Sequence, residues 1–130
     1  MIVDTSAIMA ILLDEQEQEP FVRAMMLAPS RSISAGNWIE LSVVLTRRKS
    51  PDLISRLDQL LAITPVEIIA VDGGQARIGA EAYRRYGHGS GHVADLNFGD
   101  CFAYALAKST GEPLLFKGDD FIHTDITPAR

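Results

Sequence analysis

Four acidic residues occupy positions at which a carboxylate could take part in chemistry, namely Asp4, Glu40, Asp100 and Asp119. Glu40 is the most informative, because it lies within WIELSVVL, an apolar stretch typical of a buried helix. A carboxylate inside such a helix is costly unless it is paired or bound to a cation. No basic residue stands three or four positions from Glu40, although Arg47 two turns away could reach back to it. We therefore expect Glu40 to belong to a functional site.

The other acids lie at the ends of predicted strands or at the start of a predicted helix. Asp4 directly follows a short apolar strand, and the two hydroxyl residues after it can cap the next helix, which leaves Asp4 free to face a cleft. Asp100 stands in the first turn of the apolar helix CFAYALA, where a carboxylate also interacts favourably with the helix dipole. Asp119 and Asp120 lie in the turn after PLLFK. Because ligands bind at the carboxyl ends of parallel strands, we expect these acids to converge there.

Converging carboxylates repel one another, and a divalent cation removes that cost. A set of oxygen ligands selects hard ions, so the sequence predicts Mg²⁺, with Mn²⁺ as a substitute. Zinc is not expected, because His88, His92 and Cys101 lack suitable partners nearby in the sequence.

A carboxylate-bound magnesium site indicates phosphodiester chemistry, in which one ion activates water and a second, about 4 Å away, stabilises the leaving oxygen. A nucleic-acid backbone also needs positive charge near the acids. The sequence offers the basic run RRK at 47–49 and the pair Arg84 and Arg85. Tyr83 and Tyr86 beside that pair could stack on unpaired bases.

The elements that must position these residues are short apolar strands separated by longer helices, the pattern of an α/β fold with a central parallel sheet flanked by helices. The predicted strands cover residues 2–3, 31–34, 66–71 and 113–116. The predicted helices cover residues 5–13, 17–27, 35–48, 51–63, 73–86 and 99–109. The strand VEIIAV is apolar enough to be predicted as buried.

Composition limits the class of protein. The chain has 130 residues, 47% apolar and 22% charged, which suits one globular domain with its own core. The net charge of −5 excludes a surface that is basic all over, although a local basic patch or a bound metal can still attract nucleic acid. The single Cys101 excludes a disulfide framework, and no run approaches the roughly 18 apolar residues of a membrane span. With no signal-peptide pattern at its start, we expect a cytoplasmic protein without membrane association.

The start MIVDTSAIMAIL, Glu40 in its apolar helix and the run HVADLNFGDCFAYALAKSTGEPLLFKGDDFIHTDI resemble the PIN-domain family, and most closely the VapC toxins of bacterial type II toxin–antitoxin systems. The resemblance covers essentially the whole chain. It implies a single PIN domain over residues 1–130, with three α/β/α layers. It also implies a Mg²⁺-dependent endoribonuclease that cuts RNA, forms a homodimer and is neutralised by a VapB-type antitoxin in a heterotetramer or larger complex. Segments 24–26 and 54–61 are candidates for antitoxin docking or dimer contact, unless they pack into the core.

The resemblance assigns the site to Asp4, Thr5 or Ser6, Glu40, Asp100 and Asp119. In the implied mechanism, Asp4 and Asp100 hold the Mg²⁺ or Mn²⁺. Glu40 orients or deprotonates the attacking water, and Asp119 completes the pocket. The fourth acid varies most in spacing within the family, and we choose Asp119 over Asp120, which can instead hold the turn together.

Two other functions share some of these features. A catalytically silent PIN-like module would bind RNA or protein without cutting, but every acid expected in an active member is present. A receiver-type phosphoacceptor domain is similar in size, and Lys117 after PLLF mimics its late lysine. It would need an acidic pair after the first strand, where this chain has Asp4 alone.

Overall fold

The computed structural model describes residues 1–129. In this part of the chain the strands are β1 (Ile2–Val3), β2 (Ser32–Ser34), β3 (Glu67–Ile69) and β4 (Leu114–Leu115). The helices are α1 (Thr5–Leu12), α2 (Gln18–Leu27), α3 (Ala35–Arg48), α4 (Pro51–Ile63), α5 (Gly73–Tyr86) and α6 (Phe98–Thr110), followed by a short 3-10 helix, Asp120–His123. Nowhere in residues 1–129 does a helix reach the length and apolar character that crossing a membrane demands.

The strands form one parallel sheet in the order β3-β2-β1-β4, which confirms the predicted α/β class. Ile2 lies opposite Ser32 on one side and Leu114 on the other, so β1 occupies an interior position. Because parallel strands end at the same edge, the residue after β1 and the helix after β2 meet there. Asp4 and the first turn of α3 are brought together in this way.

Helices cover both faces of the sheet, as the two residues of β1 demonstrate by packing into different core clusters. Val3 packs into a core cluster with apolar residues of α1 to α4, whereas its neighbour Ile2 packs into a second cluster with residues of α5 and α6. Successive side chains of a strand point to opposite faces, so two adjacent, fully buried residues require a layer on each side. The predicted three-layer α/β/α arrangement is confirmed.

The prediction that residues 66–71 form a buried strand is wrong. The strand is only three residues long, Glu67 is exposed, and the Ile68 side chain is 47% exposed. The physical reason is its place in the sheet, since β3 is an edge strand that pairs with β2 alone.

The apolar stretch around Glu40 is also less buried than predicted. Leu41 and Leu45 of α3 are buried in the core, but Ile39 and Val43 on the same helix are 64% and 49% exposed. An apolar sequence around a helix therefore does not require burial on every side here. Ile39 and Val43 form an exposed apolar surface on α3.

Candidate active site

Asp4 is a buried carboxylate at the end of β1. Contrary to expectation, Asp4 itself caps α1, accepting hydrogen bonds from the Ser6 backbone N–H at 3.0 Å and from Ser6 Oγ at 2.5 Å. Ser6 Oγ in turn accepts from the backbone N–H of Lys117 at 3.0 Å, which ties the turn after β4 to Asp4. Burial raises the pKa of Asp4 to about 6 despite the Ser6 bonds, and the nearby charge of Glu40 adds to that rise.

Asp100 is held in a capping box at the start of α6. Its carboxylate accepts from the Asn97 backbone N–H at 2.9 Å, and its own N–H donates to Asn97 Oδ1 at 2.9 Å. Burial raises the pKa of Asp100 to about 7, with further increases from the charges of Asp4, Asp120 and Glu40. Three chain segments distant in sequence therefore bring negative charge to Asp100.

Glu40 is fixed between α3 and α6. Its Oε1 accepts from Asn37 Nδ2 at 3.3 Å, and the same Nδ2 donates to the Gly99 carbonyl at 2.9 Å. The carboxylate of Glu40 lies so close to Gly99 that a Cβ there would be 2.8 Å from Glu40 Cδ and would overlap Oε2. Only glycine permits this approach, which places Glu40 beside Asp100.

The structure brings Asp4, Glu40 and Asp100 together. The two acids of the turn after β4, Asp119 and Asp120, differ in their relation to this group. Asp120 is the one whose charge raises the pKa of Asp100, and its own pKa is raised, first by desolvation and then by the charges of Asp95 and Asp119. Asp119 precedes the 3-10 helix and lines a surface cleft with Lys117.

The donor set of this site suits a hard divalent cation with part of its water shell. Among residues 1–129, no three His, Cys, Asp or Glu side chains are close enough to form a ready-made set of ligands. Mg²⁺ is commonly bound through one or two carboxylates while it keeps several waters. Asp4 and Asp100 are two such carboxylates; desolvation by burial is the main cause that raises the pKa of each, and no basic side chain in the described part of the chain is among the groups that lower it.

The histidines and aromatic residues bear on two further predictions. His88 Nδ1 lies 2.8 Å from Asp95 Oδ1, and His92 Nδ1 accepts from the Ala94 N–H, so both imidazoles have local partners. Tyr86 is 3% exposed and carries Arg85 over its ring at 4.8 Å, so the prediction that Tyr86 stacks on a base is wrong. Its position in the core cluster beneath α6 is the reason.

Asn37 is the residue of this site that the sequence interpretation did not select. It stands one helical turn before Glu40 and is completely buried. A polar residue three positions before Glu40 in an otherwise apolar stretch was the sequence feature that could have identified Asn37.

Comparison with known proteins supplies the family. The PIN-domain profile matches residues 1–126, and ribonuclease VapC42 of Mycobacterium tuberculosis is 51% identical over 129 residues, which is 99% of this chain and 98% of the relative. The chain belongs to the VapC ribonucleases of the PIN-domain family. Another VapC ribonuclease of the same organism, VapC28, is 45% identical over 99% of the chain and 97% of its own length.

Solved structures agree with this VapC fold. M. tuberculosis VapC20, described as a sarcin–ricin loop cleaving toxin, superimposes with a TM-score of 0.73 at 19% identity, covering 99% of this chain and 98% of that one. A toxin–antitoxin complex from Klebsiella pneumoniae gives a TM-score of 0.67 at 18% identity, covering 92% and 88%. The predicted family and fold are confirmed.

Proposed function

We propose that this VapC ribonuclease is a toxin that hydrolyses RNA phosphodiester bonds with Mg²⁺ at the cluster of Asp4, Glu40 and Asp100, and that residues 1–130 act as one domain. The observation that carries the proposal is the meeting of three carboxylates from distant segments, with Asp4 buried at the end of β1 and the half-buried Glu40 held against Gly99, next to Asp100; burial and mutual charge raise the pKa of Asp4 and Asp100. Such an arrangement is unfavourable in isolation, and a divalent cation stabilises it. Mn²⁺ is expected to substitute for Mg²⁺.

In this mechanism Asp4 and Asp100 would hold the cation, and the chemistry it would supply is polarisation of the scissile phosphate and a lower pKa of the attacking water. Glu40 orients that water and accepts its proton, since its carboxylate is fixed by Asn37 and Gly99. Asp120 is our choice as the fourth acid in place of Asp119, because its charge acts on Asp100.

RNA cleavage by the purified full chain tests the proposal. Total cellular RNA incubated with the protein and Mg²⁺ should be cut, and EDTA should prevent cutting. Asp4→Asn should abolish the cuts, whereas Asp58→Asn, an exposed aspartate on α4, should not. Cleavage that persists in EDTA or with Asp4→Asn would contradict the proposal.

We propose a VapB-type antitoxin as the partner, with the toxin–antitoxin complex among the structural neighbours as support. The two segments predicted as docking candidates are only partly exposed to a partner. In segment 24–26, Met25 is buried in the core and Met26 is 60% exposed. In segment 54–61, Ile54 is 45% exposed and Leu57 is buried. A groove lined by Phe21 and other residues of α2 runs to the turn after β4. Coexpression with the product of an adjacent small reading frame should give a heterotetramer or larger complex without RNA cleavage. A wild-type chain that stays free and active would count against this partner.

We also propose a homodimer that forms through α3, α6 and α5. Packed side by side, these helices leave large apolar side chains exposed, among them Ile39 at 64%, Val43 at 49% and Phe98 at 77%. Light scattering should give twice the chain mass, and Ile39→Asp should give a monomer that remains folded. A monomeric wild type would refute this part.

We propose the cytoplasm as the compartment. The lone Cys101 is a free thiol, which suits reducing conditions. Growth arrest caused by the chain produced without an export signal, and relieved by Asp4→Asn, would support this location; toxicity only on export would contradict it.

A further inference from the structure

Asn37 connects the three helices that carry the acids. Its side-chain N–H groups donate to Glu40 Oε1 on α3 and to the carbonyl of Gly99, the residue before Asp100 on α6. The backbone carbonyl of Asn37 accepts a hydrogen bond from Thr5 Oγ1 at 3.2 Å, and Thr5 directly follows Asp4. One buried residue therefore contacts Glu40 and the immediate neighbours of both proposed metal ligands.

The carbonyl end of the Asn37 side-chain amide makes no hydrogen bond within the described residues, so what this side chain contributes comes from its donating end. Asn37 is completely buried, yet no group in residues 1–129 donates a hydrogen bond to its Oδ1. Buried polar atoms in folded proteins are nearly always hydrogen-bonded, because an unpaired one loses its hydration without compensation. An apolar side chain of similar size would avoid that cost. The donating end of the amide is the part that the site uses.

Glu40 is held from two sides. Asn37 fixes Oε1 through a hydrogen bond, and the absence of a side chain at Gly99 admits the rest of the carboxylate against α6. A group that must accept a proton from water has to be aligned with that water, and misalignment lowers the rate without weakening binding of the RNA.

We propose that Asn37 is a positioning residue for RNA cleavage, which acts by holding the Glu40 carboxylate in the orientation that accepts the proton of the attacking water. The inference rests on the proposed function, since it requires Glu40 to act on that water. It adds a residue whose effect should pass through Glu40 alone.

A double-mutant cycle tests this dependence. The substrate is the RNA segment that wild type cuts best from total RNA, resynthesised with a fluorophore and a quencher. Asn37→Leu should lower kcat by about 10–100-fold and change KM by less than about twofold. In the Glu40→Gln background, where the proton acceptor is already gone, the same change should cost less than about threefold. Asn37→Asp keeps the shape but cannot donate to Glu40, and it serves as the second variant if Asn37→Leu does not fold.

Gln75 on α5 provides a matched control. It is also a buried amide, its Nε2 donates to a backbone carbonyl at 3.1 Å, and its Oε1 has no donor in the described residues. Gln75→Leu should therefore leave kcat within about twofold of wild type. Effects of Asn37→Leu and Glu40→Gln that multiply independently would overturn the inference, as would an effect on KM alone. Full activity of Glu40→Gln would instead refute the proposed function, and the inference with it.

Discussion

Gly99→Ala should inactivate the enzyme without unfolding it. The new Cβ would be 2.8 Å from Glu40 Cδ and would overlap Oε2, whereas real Cβ atoms essentially never approach other heavy atoms within 3.0 Å. The carboxylate must then retreat by about 1 Å, a displacement that can cost about 100-fold in rate. Alanine is the better helix former by up to about 1 kcal/mol, so the substitution itself does not disfavour α6.

The assay measures kcat and the melting temperature of the same preparations. Gly74→Ala is the matched control, because Gly74 is the second residue of α5 as Gly99 is of α6, and its Cβ would meet only Asp72 Oδ1 at 3.4 Å. We expect kcat to fall by about 100-fold for Gly99→Ala and to remain unchanged for Gly74→Ala, with both proteins folded. Cleavage by Gly99→Ala within about threefold of wild type would refute the reasoning, since Glu40 would then not need its place against α6.

The pH dependence of stability, the two acids of the turn after β4 and the packing of Phe121 can each be tested. Because the folded pKa of Asp4 is about 6 and that of Asp100 about 7, both above the ordinary 3.8, the free energy of unfolding without divalent ions should fall as pH rises from about 4 to 7. Thermal melts in EDTA measure this fall and Mg²⁺ should reduce it; a stability that rises over that range would contradict the assignment. Asp120→Asn should slow RNA cleavage by at least about tenfold and Asp119→Asn by less than about twofold, and the reverse order would restore Asp119 as the fourth acid. Phe121→Ala should lower the free energy of unfolding by about 3–5 kcal/mol in urea titrations, because this side chain is 2% exposed and packs on a second phenylalanine; a loss below about 1 kcal/mol would contradict that packing.

Helix boundaries were predictable because local chemistry sets them. Pro51 stands in the first turn of α4, and Gly111 ends α6 in a left-handed conformation. The exposure of β3 was not predictable in the same way, because the same apolar sequence is compatible with an edge strand and with a central strand of a sheet. Strand order depends on tertiary packing.

That Asp4 and Glu40 would lie near each other was predictable from the place of Asp4 at a strand end and of Glu40 in an apolar helix. The contact that orients Glu40 was not, because it joins Asn37 to Gly99, 62 residues further along the chain. The choice of Asp120 over Asp119 has the same origin. Both lie in one turn, and the proposal of Asp120 rests on its charge raising the pKa of Asp100, which depends on the three-dimensional structure.

Binding of a divalent cation tests the central claim most directly. Mn²⁺ titrated into the purified chain, with the free ion followed by electron paramagnetic resonance, should bind to wild type and to the control Asp58→Asn. Binding should be lost in Asp4→Asn and in Asp100→Asn, since each removes one of the two carboxylates proposed to hold the ion, the buried Asp4 or the half-buried Asp100. Equal Mn²⁺ binding by wild type and Asp100→Asn, or no binding by wild type, would contradict the account.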